Sequence, residues 1–352
     1  MIFNRGLIIG KFQPIHNGHL GLIRFGLNLC NSVDVHVSDA RGTDIIPVYD
    51  RIAALNKDLG EGAADCFIVP FRDDLYEVMP RDKDGTVTDE NYWRFYIAAL
   101  EKTYENRIKP DVIISSDLYG KEIAKRFGVR WVPYDPLREM TSGLSATRVK
   151  EDLLNFYTHL SPEMRKRYGL TFALVGPESS GKTTLGKALA KNLRIPTTYV
   201  PEYGRTIDVF KGNLDATDFE VIGKAQDYLI DQARADRNYI TVTDTEAMTT
   251  QAFSFLMLKK KTDSLTALFK KQLGYVSLYI LLPPVIPFED DGSRTTKDEK
   301  IRNAFFKYYE DTLRNNGAAV YIPTATDVLT RVVEIEKILE TCVQTSIEKT
   351  TS

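Results

Sequence analysis

Short apolar runs alternate with amphipathic segments from the start of the chain. Leu7-Ile8-Ile9 is a compact apolar run ending at Gly10, the pattern of a strand buried on both faces. From Leu20 to Leu29 apolar residues recur at helical spacing. Val33-Asp34-Val35-His36-Val37 then returns to the alternation and β-branching of a strand. The same reading predicts a helix from Arg51 to Leu59, a strand from Cys66 to Val69 and a helix from Trp93 to Tyr104. It continues with a strand from Val112 to Ser115, a helix from Lys121 to Phe127 and a strand from Arg130 to Val132. Strands alternating with helices predict a parallel sheet with helices on its faces.

The pattern then pauses and restarts. A helical run from Val149 to Tyr157 leads into His159 to Gly169, a polar stretch holding Pro162 and Gly169, which is read as a boundary. Leu170 to Val175 opens a new strand and Lys182 to Leu193 a new helix. Tyr239 to Thr243 and Ser277 to Leu282 are further buried-strand candidates, and polar Gln344 to Ser352 is expected to fray. The fold class predicted is α/β, with two domains that each carry a parallel sheet. A chain of 352 residues is long enough for two such cores.

Composition narrows the function classes. With 43% apolar and 27% charged residues the chain is ordinary globular protein, and a formal net charge of -2 supplies no basic field for nucleic acid. No apolar run approaches the roughly 20 residues of a membrane span. The Met-Ile-Phe-Asn-Arg start has no signal-peptide pattern, and Cys30, Cys66 and Cys342 are scattered, which fits a reducing compartment. A cytoplasmic location is expected, with no nucleic-acid or membrane partner.

Two of the four histidines fall in one ten-residue segment, Gly10-Lys11-Phe12-Gln13-Pro14-Ile15-His16-Asn17-Gly18-His19, between a strand and a helix. Ligands of open α/β sheets bind beyond the carboxyl ends of strands, and a helix N-terminus there offers free N–H groups to phosphate. Gly10 and Gly18 allow close backbone approach. His16 and His19, three apart on the first helical turn, can donate hydrogen bonds to a triphosphate. Alone, His-x-x-His is as readily a turn with two surface histidines; the ten-residue pattern at a strand–helix junction favours the site. Far along the chain, Ser142-Gly143-Leu144-Ser145-Ala146-Thr147-Arg148-Val149 precedes a helical run. Ser145 is the expected N-cap and Arg148 the third helical residue, a second phosphate cradle.

Gly176-Pro177-Glu178-Ser179-Ser180-Gly181-Lys182-Thr183 is a P-loop with the strand and helix that it requires. Its N–H groups are expected to wrap the β-phosphate of ATP, with Lys182 on the β- and γ-phosphates, Thr183 on Mg2+ and Thr184 beside it. The strand from Tyr239 ends at Asp244, a carboxylate placed to bind magnesium through water or to activate an acceptor hydroxyl. Pro201-Glu202-Tyr203-Gly204-Arg205 is expected on the same edge. Phe288-Glu289-Asp290-Asp291-Gly292-Ser293-Arg294 suits a mobile lid whose Arg294 meets charge on the transferred phosphoryl group. Each of these is a solvated charged loop when read alone, and gains meaning from its order after a P-loop.

These residues carry a resemblance. The Gly-x-Phe-x-Pro-x-His-x-Gly-His segment paired with a Ser-x-Thr-Arg helix start is similar to the nucleotidyltransferase α/β phosphodiesterase superfamily, and its long form to nicotinamide-mononucleotide adenylyltransferases. Relatives often carry Arg where this chain has Lys11. The resemblance implies that Gly10, Lys11, Phe12, His16, Gly18, His19, Ser145, Thr147 and Arg148 meet ATP. It further implies that Ser115, Ser116 and Asp117 lie near the adenosine and that Trp93 stacks on nicotinamide; without it, Trp93 is equally a half-buried core aromatic. The second half resembles the ribosylnicotinamide kinase domain of NadR-type bacterial proteins, through Glu202-Tyr203-Gly204-Arg205, Asp244 to Thr250 and Asp290 to Arg294. Relatives commonly carry Trp before Asp-Asp-Gly, where this chain has Phe288. Many also begin with a helix-turn-helix repressor domain. This chain starts at the adenylyltransferase strand, so operator binding is not expected.

The resemblance implies an adenylyltransferase domain over residues 1–160 and a P-loop kinase domain over 168–345, together a bifunctional NAD-salvage enzyme. Its small-molecule partners are then ATP with Mg2+, nicotinamide riboside, nicotinamide mononucleotide and NAD; a homo-oligomer stays open. His16, His19, Arg148, Lys182, Asp244 and Arg294 are the expected catalytic groups. Glu202, Tyr203, Arg205, Asp244, Phe288, Asp290 and Asp291 are expected at the riboside. Two rivals stand beside it: a fused phosphopantetheine adenylyltransferase and dephospho-coenzyme A kinase, and an ATP- and NAD-sensing regulator without turnover.

Overall fold

The computed structural model describes residues 1–40, 44–72, 88–139, 145–211, 214–286 and 298–351. The chain divides into two compact units, Met1–Met164 and Arg165–Ser352.

The first unit threads β1 (Phe3–Gly10), α1 (Asn17–Leu29), β2 (Cys30–Asp39), α2 (Val48–Leu59), β3 (Cys66–Arg72), α3 (Asp89–Thr103), β4 (Val112–Ser115), α4 (Leu118–Phe127) and β5 (Arg130–Pro133). All strands pair in parallel, in the order β3-β2-β1-β4-β5. Leu7, Ile8, Val33, Val35 and Val112 to Ile114 are buried because β1, β2 and β4 are covered on both faces; in β1 and β4 this reads as an unbroken apolar run, whereas β2 also buries the polar Asp34 and His36. One covering layer is aromatic: Tyr96, Leu100 and Tyr104 of α3 and its C-terminal turn pack with Phe71, Ile113 and Ile123.

The helical run expected from Val149 to Tyr157 is broken. α5 (Ala146–Glu151) stops at Asp152, which leaves the helical region (φ -144, ψ 74) and caps α6 (Leu153–Phe156) through Oδ1, accepting from Asn155 N–H at 3.3 Å. Leu160 and Ser161 are wholly buried, and α7 (Pro162–Tyr168) follows.

The second unit contains β6 (Leu170–Val175), α8 (Lys182–Asn192), β7 (Thr197–Val200), α9 (Gly204–Lys211), α10 (Ala216–Ala235), β8 (Ile240–Asp244), α11 (Ala247–Leu258), α12 (Asp263–Leu273), β9 (Leu278–Leu281), α13 (Glu299–Asn315), β10 (Val320–Tyr321) and α14 (Val328–Thr351). Its parallel strands run β10-β9-β6-β8-β7, with β6 central. Where fraying is expected from Gln344 onward, α14 continues to Thr351. Val343 is buried, Ser346 Oγ meets Tyr239 OH at 3.2 Å, and Gln344 bonds Glu348 one turn on. No described helix is long and apolar enough to cross a membrane.

Candidate active sites

In the first unit the chain reverses direction across the sheet between β1 and β4, the place where open α/β sheets bind ligands. The loop leaving β1 there is held from beneath by Arg51 of α2, which is wholly buried. Its guanidinium donates to the carbonyls of Ile46 and Ser38, both at 2.9 Å, and to that of Lys11, and pairs with Asp44. Gln13 Oε1 accepts from Ile46 N–H at 3.3 Å. Phe12 turns through the left-handed region (φ 51) and buries its ring against His19, centroids 5.0 Å apart, so its side chain is packing; the Lys11 side chain is exposed.

His16 is the N-cap of α1, and His19 is its third residue. Their rings stack with centroids 3.7 Å apart, and His19 Nδ1 accepts from the His16 N–H at 3.3 Å. That bond leaves the hydrogen of neutral His19 on Nε2, where it can be donated. His16 Nδ1 is buried with no hydrogen-bond partner among the described residues. Burial, with help from Arg138 and His159, lowers the His16 imidazole to about 4. Burial, then His16 and Arg138, pushes His19 well below its ordinary value. Both are therefore neutral donors at pH 7 in this structure, and the cation beside them is Arg138. Nothing in the local pattern around Arg138 or His159 marked them in the sequence.

The end of the unit folds back on this loop. His16 bridges to Leu160, and Ser161 N–H donates to Ile15 O at 3.1 Å. Ser145 caps α5, accepting from Arg148 N–H at 3.2 Å, so Ala146, Thr147 and Arg148 are the first three helical residues. The Arg148 guanidinium lies over Phe156 at 5.2 Å, and the Phe156 ring is 6.1 Å from that of His159. At the end of β4, Ser115 Oγ accepts from Trp131 Nε1 at 3.0 Å and donates to Asp117 O at 2.9 Å. Asp117 Oδ1 caps α4 by accepting from Gly120 N–H at 3.0 Å, and Ser116 is half-buried beside them. Trp93 is half-buried among Tyr92, Tyr96 and Tyr119, with the Arg126 guanidinium 5.1 Å from its ring.

In the second unit the P-loop runs from β6 into α8. Gly176 takes φ 144, and a Cβ there would lie 2.6 Å from Leu282 O, so only glycine fits; Ser179 (φ 57) and Gly181 (φ 90) complete the left-handed turns. Two buried arginines hold the loop's carbonyls. Arg302 of α13 donates to Glu178 O at 3.1 Å and Ser179 O at 3.4 Å, and Arg331 of α14 to Ser180 O at 2.9 Å. With those carbonyls engaged by arginines, the loop's N–H groups are the groups left for an anion. Lys182 is buried and folds onto the carbonyls of Gly176 (3.0 Å) and Pro177 (3.1 Å).

Asp244 ends β8, fully buried. Its Oδ2 accepts from Thr183 Oγ1 at 2.6 Å and from Tyr199 OH at 2.9 Å; its Oδ1 has no partner among the described residues. Glu202 pairs with Arg205 at 3.0 Å. Burial pushes the Glu202 carboxyl above its ordinary range, against the pull of Lys182 and with the push of Asp244, which places all three groups close together. Gln226 ties this region up: Oε1 accepts from Tyr203 N–H at 2.8 Å, and Nε2 donates to Thr243 Oγ1 at 3.1 Å and Pro201 O at 3.3 Å. An open cleft of about 1160 Å³, its mouth included, runs from Glu178–Thr184 past Glu202 and Arg205 to Thr249 and Thr250. Its apolar wall is Leu214, Phe219, Ile222, Phe253 and Met257. Phe288, Asp290, Asp291 and Arg294 lie outside the described residues.

Two parallel sheets, each with a strand–loop–helix junction suited to phosphate where its first strand ends, define a two-unit α/β protein with two candidate nucleotide sites. Residues 7–151 match the Cytidylyltransferase-like family and residues 171–331 the AAA domain family. Over nearly its whole length the chain is similar to NadR-type proteins. It is 27% identical over 326 residues to the trifunctional NAD biosynthesis/regulator protein NadR of Escherichia coli (strain K12), covering 89% of this chain and 77% of that protein. A crystal structure of NadR protein in complex with NR superposes with a TM-score of 0.67 at 22% identity, covering 97% of this chain and 96% of the other. A second, in complex with NAD and AMP-PNP, gives 0.64 at 21% identity, over 97% and 96% of the two chains. The two structures share the two-sheet fold with this chain.

Proposed function

We propose that the protein is a bifunctional enzyme of NAD synthesis. The second unit phosphorylates the 5′-hydroxyl of nicotinamide riboside with ATP. The first unit joins the mononucleotide to AMP from a second ATP, giving NAD and pyrophosphate. The observation that carries the reading is the occurrence, in one chain similar to NadR along both halves, of two separately built phosphate cradles.

In the first unit the nucleophile is a phosphate oxygen of the mononucleotide, so no base is required. The attack forms the new P–O bond and releases pyrophosphate, whose charge needs donors. His19 Nε2–H, His16, Arg138 and Arg148 supply them. In the second unit the riboside hydroxyl must lose a proton as its oxygen bonds the γ-phosphorus of ATP and ADP leaves. Glu202 lines the cleft, its carboxyl raised above the ordinary range by burial, whereas Asp244 is not among the lining residues and is engaged with Thr183. We therefore assign the hydroxyl to Glu202, and the metal side to Asp244. The oxygen-only pair of Thr183 Oγ1 and Asp244, with its orphaned Oδ1, fits magnesium. Held there with ATP, magnesium would supply charge neutralisation to the phosphates. The apolar wall of Phe219, Ile222 and Phe253 suits the flat base of a nucleoside acceptor.

The test is direct. The protein is incubated with Mg-ATP and, separately, nicotinamide riboside, nicotinamide mononucleotide, phosphopantetheine or dephospho-coenzyme A. Mononucleotide from the first and NAD from the first two are expected. Coenzyme A, or no product from any acceptor, overturns the reading.

A further inference from the structure

We infer that Tyr199 is a positioning residue of the P-loop site, whose phenol fixes the Asp244 carboxylate so that one oxygen stays with protein hydroxyls and the other is left for the water shell of the nucleotide's metal. The inference rests on Asp244 being the metal-side carboxylate, as proposed above.

The geometry is asymmetric. Asp244 Oδ2 takes two donors from two different elements, Thr183 Oγ1 of α8 at 2.6 Å and Tyr199 OH of β7 at 2.9 Å, while Oδ1 is buried and takes none among the described residues. A carboxylate pinned at one oxygen from two directions cannot turn about its Cβ–Cγ bond without breaking a charge-assisted hydrogen bond. The Thr183 proton points at Asp244, so the lone pairs of its oxygen stay available to a cation. Tyr199 reaches this place because residue 186 has no side chain: a Cβ on Gly186 of α8 would stand 2.4 Å from Tyr199 Cε2 and 2.8 Å from its Cδ2. The ring lies in that gap, and pairing of Tyr199 with Val242 fixes its backbone two residues from Asp244 in register.

The experiment measures, on the full chain by calorimetry, the affinity for AMP-PNP with Mg2+ and with EDTA. The Lys182→Ala protein gives the binding that does not need the P-loop, which is subtracted. The ratio of the remaining affinities is the metal-linked gain. Tyr199→Phe removes the hydroxyl and keeps the ring. Groups that orient metal-site ligands cost roughly 10- to 100-fold when lost, so the variant is expected to lower the gain about tenfold, with metal-free affinity held within about twofold. Asp244→Asn should lower the gain at least as much. If Asp244→Asn lowers it and Tyr199→Phe leaves it unchanged, Tyr199 has no positioning role. If neither changes it, the assignment of Asp244 to the metal side fails, and this inference with it.

Discussion

Gln226 is the place where one amide ties together the two elements to which the kinase chemistry is assigned above, and Gln226→Leu is the sharpest perturbation of that site that leaves every charged group in place. The side chain is 1% exposed and joins the turn carrying Glu202 to the end of β8 carrying Asp244. Leucine fills a similar volume but strands the Tyr203 N–H, at about 1–3 kcal/mol, and removes the bond to Thr243, at about 1 kcal/mol. Pro201 is exposed, so its carbonyl recovers a partner from water. The sum is about 2–4 kcal/mol, which for a unit of this size lowers the melting temperature by roughly 4–16 °C. Glu202 loses its anchor as well. A misplacement near 1 Å costs on the order of 100-fold in rate, so kcat/KM for the riboside should fall about 10- to 100-fold. The KM for ATP should move little, because the P-loop carbonyls are held by Arg302 and Arg331 instead. Thermal unfolding and steady-state kinetics of both reactions decide it. A folded variant with the wild-type melting temperature and unchanged riboside kcat/KM would refute the reasoning.

Three other outcomes are expected. Lys182→Ala should lower the kinase kcat by about 10²- to 10³-fold and leave adenylylation of the mononucleotide intact; loss of both in a folded protein would contradict independent sites. His19→Ala should lower the adenylyltransferase kcat about 100-fold, and a change confined to the KM for mononucleotide would place the imidazole on the acceptor. Burial, assisted by Arg107, holds His36 at about 4 against an ordinary 6.5. The unfolded chain therefore takes up this proton before the folded one does, and stability is lost as pH falls from 6.5 toward 4. Over that window the loss is about 3 kcal/mol, so between pH 7 and 4.5 the urea midpoint of His36→Gln should fall less steeply than wild type. Parallel slopes would exclude His36 as the source.

What could be read from the sequence was what lies close together along it. The buried strands of both sheets appear as apolar runs, and both phosphate cradles are contiguous segments with the strand and helix that they need. β7 escaped because Thr197-Thr198-Tyr199-Val200 is a half-buried strand with a polar start, and β10 because it is only two residues long. The break at Asp152 was hidden because a capping aspartate inside an amphipathic run looks like any exposed helical residue. Arg51, Arg138, Tyr199, Gln226, Arg302 and Arg331 had no local mark, since each acts on a segment brought to it by the fold. Arg331 meets Ser180 across 151 positions of chain. The apolar wall of the cleft was missed for the same reason: Phe219 and Phe253 sit on different helices and look like core in either.

The two arginines on the P-loop carbonyls bear on how the protein is made. The loop leaves the ribosome with its motif complete, while its braces, Arg302 and Arg331, are still more than a hundred codons away. Until α13 and α14 emerge, the carbonyls of Glu178, Ser179 and Ser180 lack the guanidinium groups that engage them. A nascent or truncated chain can therefore hold every nucleotide-binding residue and still present a loose cradle. The order of the P-loop carbonyls thus depends on helices that are made last. A message ending before Arg331 is expected to yield the motif without the guanidinium that holds Ser180 O.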